Sequence, residues 1–163
     1  MRITLIRHAE AGDDAPRDEA RALTVRGRQD ARRMGRALAR RDVTFSVVVT
    51  SPLVRAVQTA EIVAAMVDYR ERILVTDALV PEAAVSQAVG FLTSLARDPD
   101  AVSSVALVAH EPILSALAAE LTGRPRHPPL KKAEALRIRM EDGPQGTGAA
   151  KWRIDARGRR ERL

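Results

Sequence analysis

Short apolar runs alternate along the chain with segments in which apolar residues recur every three or four positions. Such runs, bounded by polar residues, are typical of buried strands, whereas the longer period is typical of helices packed on one face. The alternation predicts an α/β fold, with three α/β/α layers and a mostly parallel central sheet. The predicted strands span 3–6, 47–49, 73–75, 105–108, 135–140 and 151–154.

Helices are predicted at 26–41 and 84–96, and two more begin just after strands. Ser51 followed by Pro52 has the chemistry of a helix start, with serine as N-cap and proline at the first helical position. Pro112 opens a further helix, and Gly123 fits the residue that ends it. Two strand-to-helix turns are therefore expected, one near 50–52 and one near 109–112.

Length and composition favour one domain at 1–155, followed by a strongly charged and mobile tail at 156–163. The absence of cysteine excludes disulfides, thiolate metal sites and cysteine nucleophiles. The N-terminal segment does not have the pattern of a signal peptide, and no apolar run approaches membrane-spanning length. A cytoplasmic protein with no membrane partner is expected, and its oligomeric state is left open.

The net charge of +6 is compatible with nucleic acid, acidic proteins or a phosphorylated substrate as partner. Aromatic residues make up only 2% of the chain, which argues against nucleic-acid binding because single strands are held by aromatic stacking. The histidines also lack HxxxH-type spacing. No nucleic acid, metal or other cofactor is therefore expected.

Two histidines stand directly after predicted strands. His8 follows the first strand and His110 follows the strand at 105–108. The carboxyl ends of parallel strands, with the helix N-termini beside them, form the ligand crevice of open α/β sheets. Both imidazoles are therefore expected to open onto one pocket.

Two arginines join this edge of the sheet. Arg7 precedes His8, and Arg55 lies in the first turn of the helix after the second strand. A guanidinium presents a planar fork of donors that matches phosphate oxygens, and it stays charged at cellular pH. The four side chains together predict a phosphate pocket, although each alone is more often a packed or solvated residue.

Four segments of the chain resemble, in order, motifs of the histidine phosphatase superfamily, and in particular its short bacterial branch of SixA-like phosphohistidine phosphatases. Each segment lies in the expected strand-to-helix context, and together they imply a phosphoglycerate mutase-like fold. The segments are Leu5-Ile6-Arg7-His8-Ala9, Leu23-Thr24-Val25-Arg26-Gly27-Arg28, Thr50-Ser51-Pro52-Leu53-Val54-Arg55-Ala56-Val57-Gln58-Thr59-Ala60 and Val108-Ala109-His110-Glu111-Pro112.

The resemblance implies a metal-independent phosphatase in which neutral His8 attacks phosphorus and water hydrolyses the resulting phosphohistidine. Arg7, Arg55 and His110 would bind the substrate and stabilise charge on the phosphoryl oxygens, with Ala109 beside them. The favoured substrate is the phosphohistidine of a phosphotransfer domain. Small phosphomonoesters and a non-catalytic phosphate-binding module are the alternatives.

The general acid is the least defined element. Glu82 follows the third predicted strand and is the first candidate, while Asp13, Asp14 and Asp18 could reach the pocket from the loop after His8. Two positions depart from the family pattern, which carries glycine where this chain has Ala9 and Ala109. Each adds a methyl group beside backbone expected to approach phosphate, and could lower activity.

Overall fold

A computed structural model describes residues 1–97, 102–141, 143–144 and 146–163. The helices are α1 (Val25–Ala39), α2 (Val54–Met66), α3 (Val85–Leu95) and α4 (Ile113–Thr122), with short 3-10 segments at Asp18–Ala20 and Asp77–Leu79. The strands are β1 (Arg2–Arg7), β2 (Val47–Thr50), β3 (Leu74–Val75), β4 (Ser104–Ala109), β5 (Ala135–Arg139), β6 (Ala149–Ile154) and β7 (Arg160–Arg162).

The strands form one sheet in the order β3-β2-β4-β1-β5-β6-β7. Neighbours among the first four strands of this order are parallel, whereas β5, β6 and β7 are added by antiparallel pairing. The parallel part is built from β-α-β crossovers, which direct the carboxyl ends of β1, β2 and β4 to one edge. The predicted α/β sheet is confirmed, and its parallel half carries the predicted site residues.

Two apolar clusters hold helices against opposite faces of the sheet. Met34 and Leu38 of α1 pack with Ala60 of α2 on one face, together with Ile6 and Val108 from the strands. On the other face, the apolar sides of α3 and α4 pack against the sheet. Leu92, Leu117 and Leu121 contact strand side chains that point away from the first cluster. Successive side chains of a strand point to opposite faces, so each central strand contributes to both clusters. The three-layer architecture is therefore confirmed.

Two local predictions need correction. Helix α2 begins at Val54 with Leu53 as its N-cap, so Ser51 and Pro52 precede the helix instead of starting it. Ser51 is fully buried, and its hydroxyl pairs with His110 rather than capping the helix. The separate tail predicted at 156–163 is also wrong in part, because Arg160–Arg162 pair with β6 and complete the sheet. Gly123 does end α4, with φ of +62°.

Candidate active site

The register of β1 and β4 brings His8 and His110 together. Arg7 is aligned with Ala109 in this parallel pair, so the residues that follow leave the sheet side by side. The backbone N–H of His8 donates to the carbonyl of Ala109 at 3.0 Å. The two imidazole centroids lie 4.9 Å apart, with their planes tilted by 51°.

A backbone contact fixes which nitrogen of His8 carries the proton. Nδ1 lies 2.7 Å from the carbonyl oxygen of Ala9, which can only accept, so Nδ1 is the donor. Nε2 therefore keeps its lone pair. Burial lowers the pKa of His8 to about 4, helped by the charges of Arg55, Arg7 and Lys132 and opposed by the bond to Ala9. The imidazole is thus neutral at pH 7.

His110 is held through its other nitrogen. Its Nε2 lies 2.6 Å from the hydroxyl of Ser51, at the end of β2. Its Nδ1 is buried and has no hydrogen-bond partner within the part of the chain that the structure describes. Burial, followed by the charge of His8, lowers the pKa of His110 to about 3. When the Ser51 hydroxyl donates, the ring proton sits on Nδ1 and faces no acceptor among the described residues.

Arg7 is anchored through one nitrogen of its guanidinium. Nη1 donates to the carbonyl of Leu130 at 2.6 Å. The Nε of Arg7 is buried without a partner among the described residues. The Leu130 segment is itself held by Glu111, whose carboxylate accepts from the Leu130 N–H at 2.8 Å. Such an unsatisfied buried donor is costly, and a substrate oxygen would satisfy it.

Arg55 is 5% exposed in the first turn of α2 and is held by Asp18. Its Nη1 donates to the Asp18 carbonyl at 2.7 Å, and its Nη2 donates to the Asp18 carboxylate at 2.9 Å. Hydrogen bonds from Arg21 and Arg55 lower the pKa of Asp18. The loop after His8 therefore closes over the guanidinium, and its carboxylate is ionised.

The other acidic candidates lie at the surface. Glu82 is exposed in the turn before α3 and makes no hydrogen bond or ion pair with the residues the structure describes. Asp13 is paired with Arg21 at 2.5 Å, and Asp14 is exposed. Lys132 is also exposed, although its charge contributes to the lowered pKa of His8.

The two alanines at family glycine positions have their side chains in the core. Ala9 is fully buried in a cluster with Leu23, Ala31 and Ala133. Ala109 is fully buried in the cluster under α4, and its carbonyl supports the His8 backbone. The prediction that Ala109 binds the substrate gains no support from its side chain, which lies wholly within this cluster.

Three residues support the site in roles that the sequence analysis did not predict. Thr59 accepts from the Ala9 N–H at 3.1 Å and donates to the Arg55 carbonyl at 2.7 Å, which joins the loop after His8 to α2. Ser51 and Glu111 are the others, holding His110 and the Leu130 segment. All three lie within or near the recognised motifs, but their long-range partners leave no periodic signal in the sequence.

No group of three or more His, Cys, Asp or Glu side chains in the described ranges is arranged to hold a metal ion. None of the helices in these ranges combines the length and apolar character needed to cross a bilayer.

Comparison with known proteins identifies the family. The model of the histidine phosphatase superfamily (branch 1) matches residues 3–80. Phosphohistidine phosphatase SixA of Escherichia coli (strain K12) is 28% identical over 154 residues, 94% of this chain and 93% of that protein. An uncharacterised protein of Picosynechococcus sp. is 33% identical over 145 residues, 85% of each chain. A structure of the protein histidine phosphatase SixA complexed with tungstate superimposes with a TM-score of 0.88 at 28% identity, covering 96% of this chain and 97% of that one. With its motifs, fold and site geometry in agreement, this chain belongs to the histidine phosphatase superfamily.

Proposed function

We propose that the protein is a phosphatase that hydrolyses protein phosphohistidine through a phosphohistidine intermediate on His8. The observation that carries this proposal is the hydrogen bond from Nδ1 of His8 to the Ala9 carbonyl, because it leaves the Nε2 lone pair available. The lowered pKa of His8 keeps that lone pair unprotonated at neutral pH.

The reaction proceeds in two displacements at phosphorus. In the first, Nε2 of His8 forms a bond to phosphorus while the bond to the leaving atom breaks, and the leaving group keeps the electron pair and takes up a proton. In the second, water attacks phosphorus, the phosphorus–Nε2 bond breaks, and inorganic phosphate departs. Neutral His8 is thereby restored.

Donors that are left unsatisfied within the protein would stabilise charge on the transferred phosphoryl group. The Nε of Arg7 and the Nδ1 of His110 are buried without partners among the described residues, so phosphoryl oxygens would satisfy both. The Arg55 guanidinium adds a second fixed positive charge. Donors arranged in advance at the position of a developing oxyanion supply much of the acceleration in such reactions.

The substrate class is inferred from the likeness to SixA, which is named a phosphohistidine phosphatase and whose structure was determined with tungstate. Tungstate is a tetrahedral oxyanion of the same shape and charge sign as phosphate, and the arginine pair suits such a group. The partner we propose is a phosphorylated histidine phosphotransfer domain in the cytoplasm. Because the two guanidiniums supply fixed positive charge at the phosphoryl group, we propose that turnover needs no metal and continues in a chelator.

Glu82 is proposed as the proton donor for poor leaving groups. Its exposed position in the turn before α3 leaves it free to approach a substrate. The imidazole released from phosphohistidine departs more easily than an alkoxide, so the favoured substrate depends little on this proton.

Two alternatives share the same pocket. Small phosphomonoesters would use the same nucleophile with a greater need for Glu82. A phosphate-binding module would hold the phosphoryl group without turnover, which the neutral nucleophile on His8 disfavours.

The decisive experiment exposes the protein briefly to a phosphotransfer domain labelled on its phosphohistidine, followed by quenching and peptide mapping. We expect an acid-labile, base-stable adduct on His8 and steady release of phosphate, both lost in His8→Asn. Binding without release would establish the module instead. Faster turnover of a small phosphomonoester than of the domain, at equal concentration, would shift the assignment to the other alternative.

A further inference from the structure

We propose that a cleft at the opposite edge of the sheet from His8 binds a small anion carrying more than one phosphoryl group. This rear cleft has a volume of about 240 Å³ and lies between the start of β1, the segment after α1, and strands β5 and β6. Its charged lining residues are Arg2, Arg41, Asp42, Arg137, Arg139 and Lys151. The lining therefore carries five cationic side chains and one acidic side chain.

Arg137 is the feature that distinguishes the rear cleft from an ordinary basic surface. It is 6% exposed, and its guanidinium lies 5.3 Å from the ring centre of Trp152 and 5.8 Å from that of Phe45. Its one side-chain hydrogen bond within the described residues runs from Nη1 to the hydroxyl of Ser104 at 3.1 Å. No carboxylate of the described residues pairs with it.

A buried cation without a counter-ion is costly, because desolvation is not offset by attraction to an opposite charge. Burial and the charge of Arg2 lower the pKa of Arg137 to about 10, and it remains charged at neutral pH. Arg137 lines the rear cleft, and the other nitrogens of its guanidinium donate to no acceptor among the described residues. An anion in the cleft would supply both the missing charge and the missing acceptors.

The strand register adds a second, independent sign of a missing anion. Arg2 of β1 and Arg139 of β5 are directly opposed in the antiparallel ladder. Like charges in opposed positions destabilise a strand pair. Both side chains are exposed and line the rear cleft, where an anion bound between them would be attracted to both and would offset their mutual repulsion.

The size and chemistry of the rear cleft define its ligand. Its volume is below the range of roughly 300–1,000 Å³ that is usual for drug-sized ligands. Trp152 is 8% exposed and already packed by Arg137 and Arg160, so little of the ring is available to stack on a base. A compact polyphosphate group such as pyrophosphate fits both limits.

The rear cleft is separate from the phosphatase site. Arg2 begins β1 and His8 follows its end, so at the usual rise per residue the two lie roughly 20 Å apart. An anion in the rear cleft therefore does not contact His8, and the proposal does not depend on the reaction assigned to that residue.

The test uses the intrinsic fluorescence of Trp152, which is the single tryptophan of the chain and lines the rear cleft. Titration of the intact protein with pyrophosphate is expected to give a saturable change, with weaker binding of orthophosphate. The double variant Arg2→Gln/Arg139→Gln is expected to weaken pyrophosphate binding by about tenfold or more through loss of charge-assisted hydrogen bonds. Both positions are exposed, so the fold is retained.

The matched control is Arg70→Gln/Arg157→Gln, which removes the same charge from exposed positions outside the rear cleft and should bind as the parent does. Arg55→Ala should also keep the fluorescence response. The proposal is overturned by the absence of a saturable response to millimolar pyrophosphate, by equal weakening in both double variants, or by loss of the response in Arg55→Ala. The last outcome would place the bound anion at His8.

Discussion

Asp18 holds both terminal nitrogens of Arg55, one through its backbone carbonyl at 2.7 Å and the other through its carboxylate at 2.9 Å. The arginine is buried, whereas the aspartate side chain is 59% exposed. A carboxylate therefore neutralises part of the charge that an incoming phosphoryl group would meet. Binding of that group must work against a negative charge already in contact with Arg55.

Replacing Asp18 with asparagine should tighten anion binding, because the amide keeps a hydrogen-bond acceptor and removes the charge. We expect the dissociation constant for tungstate, measured by calorimetry, to fall by roughly fivefold, corresponding to about 1 kcal/mol of relieved repulsion. Asp13→Asn is the control, since Asp13 contacts Arg21 and not Arg55. Equal or weaker binding in Asp18→Asn would show that the carboxylate positions Arg55 more than it opposes the anion.

Removal of the Ser51 hydroxyl should lower turnover through His110. When its hydroxyl donates across the 2.6 Å contact to Nε2 of His110, the ring proton is held on Nδ1, so Ser51→Ala should reduce kcat by roughly tenfold as that donor is lost. NMR of the ring nitrogens would report the altered tautomer. Thr50→Val is a matched control, because that buried hydroxyl contacts a backbone carbonyl instead. An unchanged tautomer together with reduced kcat would contradict this role.

Acidification should reveal the lowered pKa values of His8 and His110. The unfolded chain takes up protons near pH 6.5, but the folded protein does so only near pH 4 for His8. The stabilisation is therefore complete above pH 6.5 and is lost as the pH falls toward 4. His8 alone accounts for about 3 kcal/mol of that loss in the free energy of unfolding.

Imidazole resonances followed by NMR titration would check the pKa values directly, since the chain has three histidines. Urea unfolding between pH 7 and 4 would check the stability, and His8→Asn should give a shallower dependence. A measured pKa of His8 close to 6.5 would show that burial does not lower it, and would contradict this prediction.

Restoring glycine at position 9 should weaken the fold without improving catalysis. The methyl group of Ala9 packs among Leu23, Ala31 and Ala133. Ala9→Gly is expected to cost about 1 kcal/mol of stability, measured by urea unfolding, and to leave kcat/KM for an aryl phosphate nearly unchanged. A marked rise in kcat/KM would mean that the methyl group obstructs phosphate.

Glu82→Gln should distinguish leaving groups. If Glu82 donates the proton, kcat for an alkyl phosphate should fall by roughly a hundredfold, whereas kcat for a nitrophenyl phosphate should change little. Glu71→Gln provides a control at another exposed carboxylate. Equal losses for both substrates would argue against Glu82 as the proton donor.

The fold and the meeting of the two histidines follow from local sequence patterns. Each histidine stands one residue beyond a buried strand, and parallel strands end at a common edge, so no knowledge of side-chain contacts is needed. The family motifs predict the reaction class, which the periodicity of apolar residues in strands and helices does not specify.

Contacts between distant residues were not predictable in the same way. The loop after His8 places Asp18 within possible reach of the pocket, but Asp18 and Arg55 are 37 positions apart and neither local sequence indicates the bond between them. Serine is a favoured N-cap residue, but the hydroxyl of Ser51 pairs with His110. The run Arg160–Arg162 lacks apolar residues, so its sequence shows no alternation of apolar and polar positions that would predict a strand. It is a strand because it pairs with β6.

That last strand also protects the protein against self-association. The sheet ends in β3, which has only two residues, and in β7, whose Arg160, Glu161 and Arg162 are all exposed. Very short or highly charged edge strands resist pairing with the edge of another molecule. Truncation after Ile154 would uncover β6, with its alternating buried and exposed residues, as a new template for aggregation.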